Sequence, residues 1–182
     1  MYERTPSPKT VELWLRSFAP AAAGPNHERA LAHLERLESR PEVTRVDVGV
    51  WGAEVEWTPR TERISQLRTI RSRLEAFDAW ADRTDRSLEP FFRERHVEST
   101  ITGESYDVRR LPTLAVAEYR GGELVHVAPS RDGEAVVDAL DRLDALARGE
   151  ADDPVLAYGH EPGGRDDSDP DAGERLEPAS PR

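Results

Sequence analysis

The sequence contains no cysteine, a single lysine (Lys9) and a single methionine (Met1). Without cysteine there are no disulfides, no thiolate nucleophiles and no thiolate metal ligands. Thiol redox chemistry is therefore excluded, and the fold must hold by packing and polar pairing alone. The same usage suits a reducing compartment. No apolar run approaches the ~20 residues of a membrane-spanning helix, and the alanine cluster within residues 19–23 is far too short. The opening MYERTPSPK lacks the apolar core of a secretory leader, so the expected location is the cytoplasm, with no membrane partner. Phosphate loop, dinucleotide fingerprint, nucleophile elbow and HExxH helix are all missing, and no cofactor is implied.

What the chain has in quantity is charge. Of 182 residues 36 are acidic and 25 basic, a formal net charge of −11. Ten of the acids and three of the bases fall in residues 149–182, leaving 26 and 22 for the rest, so the body is only mildly acidic. Abundant carboxylates, with arginine in place of lysine, suggest a salt-tolerant protein kept soluble by self-repulsion. The composition divides the chain into a flexible arm (1–9), a single α/β domain (10–148) and an acidic tail (149–182). That tail is rich in Pro, Gly and Asp and has too little apolar surface to offset the entropy of ordering, so disorder is expected.

Within residues 10–18, Val11, Leu13 and Leu15 alternate with Glu12, Trp14 and Arg16, the period of a strand. Asn26 suits the cap of a helix carrying Ala30, Leu31, Leu34 and Leu37 and ending at Pro41. Residues 43–50 alternate again, with Val46, Val48 and Val50 inward. Trp51-Gly52 then permits either a hairpin turn into 53–57 or a short exit loop. Thr58 and Pro59 fit the start of a long helix reaching residue 83, with Ile64, Leu67, Ile70, Leu74, Phe77 and Trp80 on one face. Strands are expected at 92–97 and 106–109, around a Thr102-Gly103 turn.

The stretch 110–146 organises the rest. Leu114, Val116 and Glu118 alternate, Gly121-Gly122 supplies a two-residue hairpin turn, and Leu124, Val125 and Val127 return. Asp132 can cap a closing helix that carries Val136, Val137, Leu140, Leu143 and Leu146. The order β-α-β-α-β-β-α predicts a layered α/β sandwich. Pairing of 46–50 with 55–57 would instead give a ferredoxin-like β-α-β-β-α-β unit with an appended hairpin and helix.

Few side-chain groupings point to chemistry. Phe92, Arg93, Arg95 and His96 could form a basic aromatic groove for an anionic ligand or single-stranded nucleic acid. The commoner outcome for such a run is an amphipathic edge strand whose arginines pair with Glu94, Glu98 and Glu104. Ser99–Thr102 with Glu104 and Tyr106 could line a pocket, though hydroxyl-rich runs usually satisfy turns. Arg60, Arg63, Arg68, Arg71 and Arg73 crowd the start of the long helix, as a partner surface or a salt-bridged face. His27 and His33 lie six residues apart on a helix and cannot share a metal there. Asp167, Asp169 and Asp171 fail as a calcium loop, because Ala172 and Pro178 stand where glycine and the bidentate acid belong.

Leu111-Pro112-Thr113 before a strand, Arg120-Gly121-Gly122-Glu123 between strands and a terminal helix resemble the closing half of thioredoxin-like proteins. The resemblance implies a thioredoxin-like sandwich, a cis peptide at Pro112, and a Leu111 backbone open to a partner strand. Beside it would lie the loop at 18–25, where that superfamily keeps its paired cysteines and this chain has Ala19, Pro20 and three more alanines. Across residues 10–147 the chain also resembles poorly characterised haloarchaeal proteins often labelled helix-turn-helix domain proteins. That likeness is carried by Leu15-Arg16-Ser17-Phe18-Ala19-Pro20, Val50-Trp51-Gly52, Leu88-Glu89-Pro90-Phe91-Phe92-Arg93, Thr102-Gly103-Glu104 and Val127-Ala128-Pro129. It implies no particular activity.

The expected function is a non-redox, thioredoxin-like binding or regulatory module for a protein or peptide partner in a salt-adapted cytoplasm. Its expected contact face comprises Phe18, Ala19, Pro20, Phe92, Arg93, Arg95, His96, Leu111, Pro112 and Thr113, with no catalytic or metal-ligating residue. The alternative is a nucleic-acid-associated or transcription-related protein using the arginine-rich helix. Net negative charge, and the lack of two predicted helices joined by a three- or four-residue turn, weigh against it. A third reading makes His96, Tyr106 and Glu104 an enzymatic pocket.

Overall fold

The computed structural model describes residues 8–17, 24–101 and 103–149. The expected acidic tail from residue 150 onward, and most of the expected arm, lie outside them. Along the chain come β1 (Lys9–Arg16), α1 (Pro25–Glu38), β2 (Val43–Trp51), β3 (Glu54–Trp57) and α2 (Ser65–Arg83). There follow β4 (Arg93–Glu98), β5 (Ser105–Arg110), β6 (Leu114–Arg120), β7 (Glu123–Ala128), β8 (Ser130–Asp132), β9 (Ala135–Val137) and α3 (Ala139–Arg148).

Four strands form the main sheet in the order β2-β1-β6-β7, with β1 parallel to β2 and antiparallel to β6. The alternation of β1 sorts its side chains to two buried faces. Val11, Leu13 and Leu15 pack with Ala30, Leu34 and Leu37 of α1 and with Leu143 and Leu146 of α3. Trp14 goes the other way, into a cluster with Ile70, Leu74, Phe77 and Trp80 of α2. The result is an α/β sandwich with helices on both faces, in the β-α-β-α-β-β-α order expected once β3, β4, β5 and the small β8 and β9 are set aside. Helix α2 crosses the sheet obliquely. Near its start Gln66 reaches Val50 O at 3.5 Å, and near its end Trp80 Nε1 donates to Val125 O at 3.0 Å.

The Trp51-Gly52 step is not a hairpin turn. β3 pairs with β5 rather than β2, in a second sheet of order β3-β5-β4, and this removes the ferredoxin-like alternative. Trp51 explains the outcome. Its ring is buried, stacked on Trp14 at 5.2 Å and edge-on to Phe92 at 6.0 Å, so the chain leaves β2 pinned at the junction of the two sheets. Ala53 O then accepts from Leu111 N at 2.9 Å.

All three helix starts differ from expectation. Helix α1 begins at Pro25 with Gly24 at its cap, which puts Asn26 inside the first turn. The long helix begins at Ser65 because Ile64 is extended (φ −97, ψ 115) and separates it from a single 3₁₀ turn at Thr61–Arg63. The closing helix begins at Ala139, where Asp138 Oδ1 accepts from Leu140 N at 2.8 Å. Val136 and Val137 lie instead on β9, joined to β8 through Gly133 at φ 56. Asp-Gly beside a β-branched pair is a hairpin signal that helical spacing masked.

Helices α1 and α3 are fastened together at their ends. Arg40 donates to Ala147 O from Nε at 3.1 Å and from Nη2 at 2.6 Å. Gly149 ends α3 in the left-handed region, and a Cβ there would lie 2.5 Å from Arg40 Nη1. Among the described residues no helix is long and apolar enough to cross a membrane.

Candidate functional site

The corner at Leu111-Pro112-Thr113 is consumed by the fold. Leu111 is fully buried and its carbonyl accepts from the Arg16 guanidinium. Pro112 O accepts from Trp51 Nε1 at 3.1 Å, and Thr113 O from Arg16 N at 2.9 Å, with His27 Nε2 3.4 Å away. All three carbonyls of the corner, and the Leu111 N–H, are thus engaged within the fold. The cis peptides among the described residues are Glu89-Pro90 and Ala128-Pro129, so Leu111-Pro112 is trans. Phe18, Ala19 and Pro20 lie outside the described residues.

The second grouping separates into core and rim. Phe92 is buried, edge-on to Trp51 and Phe77 at 6.0 Å, and forms part of the wall of a hollow whose other lining includes Asp78, Arg86, Glu89 and Arg109 but not Arg93, Arg95 or His96. Arg93, Arg95 and His96 sit exposed on the edge strand β4. Each has an acidic neighbour: Glu89 at 4.0 Å, Glu54 at 3.1 Å and Asp107 at 2.7 Å. This is a solvated, ion-paired edge, although its partners are not the glutamates expected. Among the described residues no group of histidine and carboxylate side chains could hold a metal.

The arginines before and along α2 divide into two classes. Arg71 pairs with Glu62 at 3.0 Å and Glu75 at 2.9 Å, and Arg73 grips Glu12 through two bonds of 3.0 and 2.7 Å. Arg60, Arg63 and Arg68 are exposed and form no ion pair among the described residues. Beside Arg68 and Arg73, the hydroxyls of Ser65, Thr69 and Ser72 line a shallow hollow of about 340 Å³. Guanidinium groups and hydroxyls on one helix face can donate several hydrogen bonds to an anion at once. The amino end of α2 adds the positive pole of its dipole.

Sequence reasoning missed two buried carboxylates. Glu12, on the face of β1 toward α2, accepts from Arg73, Trp14 Nε1 (3.2 Å) and Tyr119 Oη (3.3 Å). Burial and the Glu12 charge together push the Tyr119 phenol well above its usual range. Glu118, on the opposite face, binds Arg142 of α3 at 2.5 and 3.1 Å and Lys9 at 3.3 Å. Burial favours its neutral form, but Arg142 wins and holds the carboxyl below its ordinary value. Opposite it on β7, His126 is buried and edge-on to Trp80 at 5.5 Å, with neither ring nitrogen hydrogen-bonded among the described residues. Desolvation lowers its pKa to about 4, against the raising influence of Glu118. The only advance signal was a glutamate at an inward position of an otherwise apolar strand.

A family model described as a helix-turn-helix domain matches residues 3–151, most of the chain, and the protein belongs to that family. No curated protein and no solved structure matches it. The match overturns the thioredoxin-like binding module in favour of the nucleic-acid alternative. Among the described residues no two helices are joined by a three- or four-residue turn: α1 and α2 are separated by β2 and β3. The interface in this chain must therefore be sought on its surface chemistry.

Proposed function

We propose that this member of the helix-turn-helix domain family is a nucleic-acid-associated protein of the cytoplasm that grips the phosphate backbone of duplex DNA. The family match is the observation that carries this reading. The contact surface is the basic segment before and along α2, where Arg68 stands exposed beside Ser65, Thr69 and Ser72, and Arg60 and Arg63 are exposed in the stretch leading into the helix. Such side chains contact phosphate oxygens and fix orientation without reading bases. The net charge of −11 opposes approach from a distance, so the basic patch acts at close range.

The test is fluorescence anisotropy with duplex DNA at several salt concentrations. Wild type should bind at low salt and weaken linearly in log–log form as salt rises. Replacing Arg60, Arg63 and Arg68 together by alanine should weaken binding about tenfold or more. It should also flatten the salt slope by roughly one for each phosphate contact removed, with an unchanged circular dichroism spectrum. No affinity for any duplex at low salt would reject the reading.

A further inference from the structure

The main sheet ends at β2, and among the described residues nothing pairs with its outer edge. This edge is regular from Arg45 to Trp51, carries no proline or lysine, and leaves Val48 45% exposed. Edges of this kind are templates for another strand. Its side chains are sorted by the β1 register. Arg45 and Asp47 lie on the face of Thr10 and Glu12, toward α2, while Val46 and Val48 lie on the face of Val11 and Leu13.

We propose that the occupant of this edge is the β2 strand of a second copy of the chain, paired antiparallel about a two-fold axis through Val46. A two-fold of this kind must set residues of the same face opposite each other. Centring on Arg45 or Asp47 would oppose two like charges. Centring on Val46 puts Arg45 opposite the second copy's Asp47, and Asp47 opposite its Arg45, so two reciprocal ion pairs form. Val46 then meets its own counterpart, while Thr44, which falls at the register shift ahead of Arg45, takes no part. The local sequence Arg45-Val46-Asp47 is thus complementary to itself when reversed. Within one chain Arg45 Nε already lies 2.7 Å from Asp47 Oδ2, so both groups sit on the same side, poised to exchange partners.

The geometry has a consequence for the basic helix. The axis of an in-plane antiparallel pairing is perpendicular to the sheet, so both copies of α2 come to one side of a continuous eight-stranded sheet. Their arginine-rich starts, which lie over β2, then stand nearest the axis. Paired with the proposed duplex binding, this arrangement suits a two-fold symmetric site. The dimer itself does not rest on that reading.

Sedimentation of the full chain without nucleic acid decides it. Wild type should show twice the 20.4 kDa of one chain. Asp47→Arg and Arg45→Asp should each raise the dissociation constant about tenfold or more, by opposing like charges across the strands. The double reversal Arg45→Asp with Asp47→Arg restores complementarity and should restore the dimer. A wild type of one-chain mass at every concentration would overturn the proposal whatever the variants do. Single variants that dimerise like wild type, or a folded double variant that stays single, would overturn it as well.

Discussion

Each face of the main sheet buries one glutamate, and the two are neutralised differently. On the α2 side, Glu12 is held by Arg73, whose side chain keeps 38% of its surface in water. On the α3 side, Glu118 is held by Arg142, only 11% exposed, and by Lys9. The chemistry is the same and the worth is not. A pair with one wet partner can replace its losses with solvent, whereas a fully desolvated pair leaves an orphaned charge when either member is removed. The side facing α2 therefore tolerates electrostatic change, and the side facing α3 does not.

The sharpest way to break this comparison is to remove a partner on the dry side. Arg142→Ala should lower unfolding stability in urea by roughly 3–5 kcal/mol, because Glu118 stays buried without its guanidinium; a loss near zero would show that water reaches the site. The next largest effect is on pH. His126 titrates near 4 when folded against an ordinary 6.5, so the unfolded chain binds its proton more readily. Stability is full above pH 6.5, falls by about 3 kcal/mol as pH drops to 4, and His126→Leu should flatten that window. Glu118, whose pKa is lowered, adds a further loss in the same direction at more acid pH. The smallest effect is on the wet side. Glu12→Gln should cost about 1 kcal/mol and bring the Tyr119 phenol down toward its ordinary range in an absorbance titration. Burial, the larger cause, persists there, so the shift should shrink without vanishing.

Much of the architecture was legible in the chain. Period-two alternation located β1, β2, β6 and β7, and the Gly121-Gly122 turn joins β6 to β7 as expected. The boundaries that failed share a cause: spacing of apolar residues cannot tell Val136 and Val137 on a short strand from the same pair on a helix. The destination of β3 was illegible because it depends on where Trp51 docks, a contact with Trp14 and Phe92 made at long range. At the candidate site, the clustering of arginines near α2 was visible, but which of them are paired was not. Arg73 finds Glu12 sixty-one positions away, while Arg68 finds no carboxylate among the described residues. The Leu-Pro-Thr corner misled because its residue types fit an open peptide-binding edge. Arg16 and Trp51, which occupy its carbonyls, come from distant positions.

The clamp between Arg40 and Ala147 has a mechanical consequence in a chain without sulfur bridges. It ties two points 107 residues apart, closing a loop that contains nearly every strand, with hydrogen bonds that water can compete for. A covalent bridge there would hold α3 on the sheet permanently. Each bond of this latch can break and re-form alone, while Leu143 and Leu146 in the core and the Arg142–Glu118 pair keep α3 seated on the sheet.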